Sequence, residues 1–213
     1  MRRQLNSLHS SSLLVRRENN VIKAIIFDFA GVIATEAYWI WLRKTVGDLD
    51  SKKREFQSLA DRVDSGEVSN KAFVAELSNN TGVTEDLIWP QVLEEVVINQ
   101  DLLDLIKDIK QKYLIGLLSN YTHDWLEQII VKYSLSQYFD QVVISSKIGH
   151  IKPEAQAFQA ILDELDVVKE EAIFIDDRQE HVNASNAFGL KALLYITVPE
   201  LKTNLENFGV QSL

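Results

Sequence analysis

Short apolar runs with the length of buried strands recur along the chain, separated by segments in which apolar residues have helical spacing. The first run is rich in β-branched residues and is followed at once by Asp28. Runs of this kind alternate with amphipathic helices when a parallel sheet is covered by helices on both faces. We therefore predict an α/β fold with a doubly wound (Rossmann-like) parallel sheet. The runs span residues 21–27, 113–118, 142–144, 172–175 and 192–196, and the helical segments span 102–109, 125–133 and 158–165.

A segment between the first and second predicted strands, residues 35–98, breaks this alternation. It shows helical spacing without a clear strand, and Ser69 is the expected N-cap of one of its helices. Trp89–Pro90 predicts a further break, because the residue before a proline is pushed out of the α region. We interpret the segment as a helical insertion. Its expected helices span residues 38–46, 53–63 and 71–77.

The predicted organisation is one core interrupted by an insertion. Residues 21–34 plus 99–213 are expected to form the α/β core, and residues 35–98 a helical cap. Residues 1–20 carry four arginines and no acid before Glu18, and we expect a disordered leader outside the fold. Because organellar targeting peptides share this Arg- and Ser-rich composition, targeting is the alternative to the cytoplasmic location that we expect.

The charge and the cysteine content of the chain exclude several kinds of partner and of chemistry. Lys and Arg number 22 against 31 Asp and Glu, giving a formal net charge of −9. Such a surface repels nucleic acid and anionic membranes, so neither is expected as a partner. The absence of cysteine excludes disulfides, thiolate catalysis and Cys-ligated metals. No stretch of the sequence approaches the roughly 18 apolar residues that a membrane-spanning helix needs.

Polar residues directly follow four of the predicted strands. The carboxyl ends of parallel strands share one edge of a sheet, which is where open α/β sheets bind ligands. One such residue alone would be ordinary turn chemistry, but four groups at one edge indicate a site. They are Asp28, Ser119–Asn120, Ser145–Ser146 and Asp176–Asp177.

Four segments of the sequence resemble, in order and spacing, the motifs of the haloacid dehalogenase-like (HAD) hydrolase superfamily. The resemblance extends over about residues 21–198, and the position of the insertion is similar to that of the subclass with an α-helical cap after the first motif. It implies an enzyme that hydrolyses a small phosphorylated metabolite, with Mg²⁺ as cofactor. The segments are 27–33 (FDFAGVI), 118–120 (LSN), 152–154 (KPE) and 174–178 (FIDDR).

The resemblance implies a nucleophile and a metal site made of carboxylates. Asp28 would attack phosphorus and form an aspartyl-phosphate. Asp28, Asp176 and the backbone carbonyl of Ala30 would bind Mg²⁺, and Asp177 would hold a water in the outer shell. Without a cation, these neighbouring acids would repel one another and a phosphate.

The resemblance also implies residues that bind the substrate. Ser119 and Lys152 would hold phosphoryl oxygens, and Lys152 would neutralise charge that develops during transfer. Asn120 would orient the substrate or the nucleophile, and Phe29 would contact the substrate. Trp39 would line a pocket under the cap, with packing inside the cap as the alternative.

Ala30 departs from the pattern of the family phosphatases, which usually carry a second aspartate at this position as general acid and base. A methyl group transfers no proton, and such catalysis is commonly worth about 10²–10⁴-fold. The chain would still be a phosphatase if its substrate has a good leaving group, such as a sugar-1-phosphate, or if the acid comes from elsewhere. Glu36 and His123 are the candidates for that acid.

An alanine at position 30 is also compatible with a different chemistry or with none. Phosphonate hydrolases of the superfamily have alanine there and use a cap lysine as a Schiff base, whereas haloacid dehalogenases work without metal, which the retained Asp176 and Asp177 disfavour. A binding or regulatory module that has lost catalysis is the last alternative. The cap lysines available for a Schiff base are Lys44, Lys52, Lys53 and Lys71.

Of the histidines, His181 is expected at a solvent-facing helix start.

Overall fold

The computed structural model describes residues 21–211, and in this range five strands form one parallel sheet in the order β3-β2-β1-β4-β5. This confirms the predicted doubly wound sheet, with strand boundaries that differ by at most three residues. The expected leader, residues 1–20, lies outside the described residues, so the leader and the cytoplasmic location stay predictions. The strands are β1 (Ala24–Phe27), β2 (Leu114–Ser119), β3 (Gln141–Ile144), β4 (Ala172–Asp176) and β5 (Lys191–Leu194).

Ten α-helices accompany the sheet in the described part of the chain. None of them combines the length and the apolar composition of a membrane-spanning helix. They are α1 (Ala37–Thr45), α2 (Leu49–Asp64), α3 (Asn70–Thr81), α4 (Glu85–Glu94), α5 (Gln100–Ile109), α6 (His123–Lys132), α7 (Ser145–Ile148), α8 (Ala155–Leu165), α9 (Gln179–Phe188) and α10 (Val198–Asn207).

Strand β1 separates two hydrophobic layers because its side chains alternate between the faces of the sheet. Ile25 and Phe27 pack with apolar residues of α5, α6 and α10 on one face. Ala24 and Ile26 pack with residues of α8 and α9 on the other. All four side chains are fully buried, as expected for a parallel strand covered on both sides.

The central place of β1 decides where the polar strand ends meet. Phe27 is in register with Leu117 of β2 and with Ile175 of β4. Asp28 therefore emerges between the carboxyl ends of β2 and β4, at the point where the strand order changes direction. This is the position at which open α/β sheets form their ligand sites.

Four helices, α1–α4, occupy the segment between β1 and α5. Ser69 caps α3 as predicted, with its side chain accepting a hydrogen bond from the backbone N–H of Ala72 at 3.2 Å. The break predicted at Trp89–Pro90 is wrong, because α4 continues through Pro90. The carbonyl that Pro90 leaves without its helical donor belongs to Asp86, in the exposed first turn where water can serve. Trp89 stacks on Trp125 of α6 at 4.8 Å, which holds the helix in place.

The two chain connections to α1–α4 run side by side. The backbone N–H of Thr35 donates to Val97 O at 3.1 Å, and the N–H of Val97 donates to the Thr35 hydroxyl at 3.0 Å. Ala34 forms an antiparallel bridge with Ile98. The helical segment thus leaves and re-enters the core at one point.

Replacing Phe158 with alanine tests the packing of the second layer. Phe158 of α8 is fully buried and contacts Phe174 edge to face at 5.4 Å. We expect Phe158→Ala to lower the free energy of unfolding by about 3–5 kcal/mol in urea titrations, because a cavity replaces the ring. Val131→Ala is the control, since Val131 is 78% exposed. Similar losses in both variants would contradict this arrangement.

Candidate active site

A buried ammonium group joins the two carboxylates at the centre of the sheet edge. Lys152 Nζ lies 2.7 Å from Asp28 Oδ1 and 2.7 Å from Asp176 Oδ2, and its side chain is fully buried. Lys152 comes from the segment between α7 and α8, so β1, β4 and this segment meet at one cation. A buried charge of this kind is tolerated only when it is paired.

Burial and the two carboxylates shape the electrostatics of this cluster. Burial lowers the pKa of Lys152, but Asp28 and Asp176 outweigh it and hold the pKa above its ordinary value. Burial raises the pKa of Asp28 to about 7, against the opposing effect of Lys152. At Asp176 burial is outweighed by Lys152 and His181, so its pKa lies below the ordinary value. The cluster thus keeps Asp176 ionised at neutral pH, whereas the raised pKa of Asp28 lies close to neutral pH.

His181 is part of this cluster, and its predicted place at a solvent-facing helix start is wrong. The residue lies in the first turn of α9 but is only 2% exposed. Its Nδ1 is 2.9 Å from Asp176 Oδ2, and since an ionised carboxylate only accepts, Nδ1 carries the proton. Burial lowers the pKa of His181, which favours the neutral ring. The spacing of five residues from Asp176 was the available sequence signal.

Three carboxylates, Asp28, Asp176 and Asp177, offer one oxygen each within 4.8 Å of one another. Asp176 Oδ2 accepts from both Lys152 and His181, and Oδ1 accepts from the N–H of Arg178, which leaves one lone pair of Oδ1 available. Burial, together with Asp176 and Glu36, raises the pKa of Asp177 to about 6. Clustered acids that offer hard oxygen ligands fit a divalent cation such as Mg²⁺.

Gly31 makes room for Asp177. It adopts a left-handed conformation with φ of 85°, and a Cβ there would stand 2.1 Å from Asp177 Oδ2. Any other residue would push this carboxylate away from the cluster. The glycine after the first strand is therefore required by the close approach of Asp177.

Ser119 presents a buried hydroxyl that has no hydrogen-bond partner among the described residues. It is fully buried at the end of β2, directly beside β1. An unpartnered buried hydroxyl costs free energy unless a ligand or water satisfies it. A phosphoryl oxygen bound between Ser119 and Lys152 would satisfy it.

Asn120 connects the end of β2 to the segment that carries Lys152. Its Nδ2 donates to Lys152 O at 2.8 Å, and its Oδ1 accepts from the N–H of Lys152 at 2.8 Å. Both ends of the amide are thus used to hold the Lys152 backbone. Asn120 orients the lysine in this structure, and its side chain also lines the pocket above the cluster.

Phe29 and Trp39, the aromatic residues expected near a substrate, differ in whether they line the pocket. The side chain of Phe29 is 1% exposed and packs edge to face on Tyr121 at 5.8 Å, and its backbone N–H donates to Asp28 Oδ1 at 2.7 Å. Trp39 lines the pocket, whereas Trp41 is buried and donates from Nε1 to Gln91 Oε1 at 2.9 Å.

The pocket lies between the sheet edge and the helices α1–α3, and two acids from α2 line it. Asp61 and Asp64 were not singled out from the sequence. Asp61 accepts a hydrogen bond from Gln57 Nε2 at 2.8 Å. Asp64 is the last residue of α2, where the negative end of the helix dipole disfavours an acid. That unfavourable position was the signal available in the sequence.

Of the two residues expected to supply the acid that Ala30 lacks, only one lines the pocket. Glu36 lines the pocket and raises the pKa of Asp177, but His123 is absent from the described residues that line it. His123 Nδ1 lies instead 3.2 Å from Ser146 Oγ. The only lysine among the described lining residues is Lys152. The four lysines expected as Schiff-base candidates are exposed, and Lys44 pairs with Glu95.

The sequence is similar to those of a known family. A family model described as haloacid dehalogenase-like hydrolase matches residues 22–189. A relative, the D-ribitol-5-phosphate phosphatase of Bacteroides thetaiotaomicron, is 24% identical over 188 residues, covering 80% of this chain and 90% of the relative.

Solved structures share the fold. A HAD family enzyme from Bacteroides thetaiotaomicron superposes with a TM-score of 0.74 at 20% identity, covering 87% of this chain and 98% of that one. The wild-type enzyme in complex with magnesium and inorganic phosphate gives a TM-score of 0.70 at 20% identity, covering 83% and 96%. At this identity the likeness establishes the fold.

Removing the buried cation tests the electrostatic arrangement. We expect Lys152→Met to lower the free energy of unfolding by about 3–5 kcal/mol at neutral pH, since Asp28 and Asp176 are left as uncompensated buried charges. Urea titrations with and without Mg²⁺ measure the loss, and Mg²⁺ should recover part of it. Lys147→Met, at an exposed lysine, is the control. An unchanged midpoint in Lys152→Met would show that the ammonium does not hold the cluster.

Proposed function

Since this chain belongs to the haloacid dehalogenase-like hydrolase family, we propose that it is a Mg²⁺-dependent phosphatase that acts on a small phosphorylated metabolite. The observation that carries this proposal is a buried ammonium paired with Asp28, with an unpartnered buried hydroxyl at the end of the neighbouring strand. Lys152 and Ser119 provide a cradle for phosphoryl oxygens, and Asp28 provides the nucleophile beside it.

Asp28 attacks phosphorus and forms an aspartyl-phosphate, which water then hydrolyses. Lys152, held by Asn120, favours the ionised form of Asp28 and stabilises negative charge on the transferring group. Ser119 donates its hydroxyl to a phosphoryl oxygen, and the backbone N–H of Phe29 orients the nucleophile by donating to Asp28 Oδ1. His181 fixes the orientation of Asp176 through its Nδ1 proton.

Asp28, Asp176 and the Ala30 carbonyl would hold Mg²⁺, with Asp177 binding a water in its outer shell. When bound, the cation supplies positive charge that neutralises the phosphate and the surrounding carboxylates. The spacing of the carboxylate oxygens and the room that Gly31 leaves for Asp177 support this assignment.

Residues 35–98 are proposed as a cap that covers the pocket and sets specificity, attached to the core (residues 21–34 plus 99–213) at the paired connections around Thr35 and Val97. Such a cover excludes water during phosphoryl transfer. The name of the ribitol-5-phosphate phosphatase relative supports a sugar or polyol phosphate as the substrate class. A sugar-1-phosphate, which has a good leaving group, is included in that class.

Hydrolysis of a simple ester tests the phosphatase activity. p-Nitrophenyl phosphate should be hydrolysed in the presence of Mg²⁺ and not after its removal with EDTA, and Asp28→Asn should abolish the activity because it removes the nucleophile. Glu170→Gln, at an exposed acid far from the pocket, should retain it. Phosphate release from no ester, including sugar-1-phosphates, would contradict the proposal.

Substitution of Trp39 tests the specificity role of the cap. Trp39→Ala should raise KM for an accepted sugar or polyol phosphate, because the indole lines the part of the pocket that lies beyond the phosphate cradle. The inhibition constant of inorganic phosphate serves as the internal control. It should stay unchanged, since phosphate alone needs only Ser119 and Lys152. A parallel rise in both constants would argue against a specificity role for Trp39.

A further inference from the structure

We propose that Asp64, from the helical segment, is the general acid and base of the reaction and replaces the carboxyl group that Ala30 lacks. This inference rests on the proposed phosphatase function and extends it to the leaving group. It assigns a catalytic role to a residue outside the four sequence motifs.

Asp64 and the reacting groups line one pocket. The lining brings Asp64 together with Asp28, Ala30 and Lys152, so an acid of the helical segment faces the nucleophile across the space left for a substrate. Asp64 interacts electrostatically with both Asp28 and Lys152. In-line transfer places the leaving group on the side of phosphorus opposite Asp28, and Asp64 lines the same pocket as Asp28.

The end of α2 is fixed against the core close to the site. Gly66 has φ of 75°, and a Cβ there would stand 2.7 Å from the carbonyl oxygen of Ser146, which follows β3. The backbone N–H of Thr122, in the loop after β2, stabilises the Asp64 carboxylate. Asp64 is therefore held between the loop after β2 and the start of α7, as a group that transfers protons must be.

The surroundings of Asp64 keep its proton in place at neutral pH. Burial, followed by Asp61 and Asp28, raises the pKa of Asp64 to about 8, while Lys152 and the Thr122 amide act in the opposite direction. A carboxyl group with this pKa is protonated below pH 8 and can donate to a leaving oxygen. The titratable and charged groups facing it are Tyr38 from α1, Asp61 from α2, Asp28 and Lys152 from the sheet edge, and Tyr121 from the loop after β2.

The two half-reactions balance with this one proton. In the first, an Asp28 oxygen bonds to phosphorus, the bond from phosphorus to the ester oxygen breaks, and Asp64 gives its proton to that oxygen to release an alcohol. In the second, the Asp64 carboxylate takes a proton from water as the water oxygen bonds to phosphorus. The bond to Asp28 breaks, inorganic phosphate leaves, and Asp64 is protonated again.

Other acids of the pocket fit this role less well. Asp61 accepts a hydrogen bond from Gln57 and so has a partner within its own helix. Glu36 influences Asp177, on the side of the carboxylate cluster, rather than Asp28 or Lys152. Glu36→Gln is therefore included in the test as the rival variant.

The experiment compares two esters of similar shape with different leaving groups, p-nitrophenyl phosphate and benzyl phosphate, each with Mg²⁺. Asp64→Asn should lower kcat/KM for benzyl phosphate by about 10²–10⁴-fold, because the benzyl alkoxide needs a proton to leave. The kcat/KM for p-nitrophenyl phosphate should change little, which also shows that the variant is folded. Its time course should show a burst of p-nitrophenol, since the aspartyl-phosphate then lacks its base.

Rescue and pH dependence separate proton transfer from a structural role. The double variant Asp64→Asn with Ala30→Asp should recover benzyl phosphate hydrolysis. In the wild type, kcat/KM for benzyl phosphate should fall as pH rises through about 8, and this decrease should be missing in Asp64→Asn. Glu55→Gln removes an exposed acid from the same helix and should match the wild type.

The outcomes separate the inference from the proposed function. An equal loss for both esters, no loss for either, or a selective loss in Glu36→Gln instead would overturn the role of Asp64 alone. A wild-type protein without Mg²⁺-dependent turnover of p-nitrophenyl phosphate would overturn the phosphatase function, and the role of Asp64 with it.

Discussion

The pairing of the Lys152 ammonium with two carboxylates is the interaction on which the rest of the site depends. Three segments that are separated in sequence meet at the Lys152 ammonium, and their charged groups are buried there. Without Lys152, Asp28 and Asp176 would repel each other inside the sheet edge, and the surroundings would favour protonation of both. The Asn120 amide and the His181 ring act by orienting the two sides of this pair. A phosphate site in an acidic protein thus begins with one well-placed positive charge.

The strand pattern made the core predictable, because buried parallel strands and amphipathic helices have distinct periodicities. Parallel topology alone predicted that Asp28, Ser119 and Asp176 lie at one edge of the sheet. The structure places them at the ends of adjacent strands. Pro90 shows the limit of local rules. Its helix survives through the stacking of Trp89 on Trp125, a contact between residues 36 positions apart that no local pattern contains.

Residues of the site that sequence reasoning missed share one property: their role depends on a partner from another element. His181 resembles an ordinary helix start until Asp176 is found beside it. Asp64 resembles an ordinary surface acid, and only the fold reveals that α2 ends against the loops after β2 and β3. Phe29 follows the nucleophile directly, yet its side chain packs into the core, which no local pattern indicates.

The paired connections at Thr35 and Val97 bring the two ends of a long insertion within hydrogen-bonding distance. The insertion therefore acts as a loop whose two ends are joined at the core. The entropy of closing such a loop grows only slowly with its length. The entropic cost of joining the insertion to the sheet is therefore nearly independent of how many helices it contains. Insertions of different lengths can thus share this one point of attachment to the core.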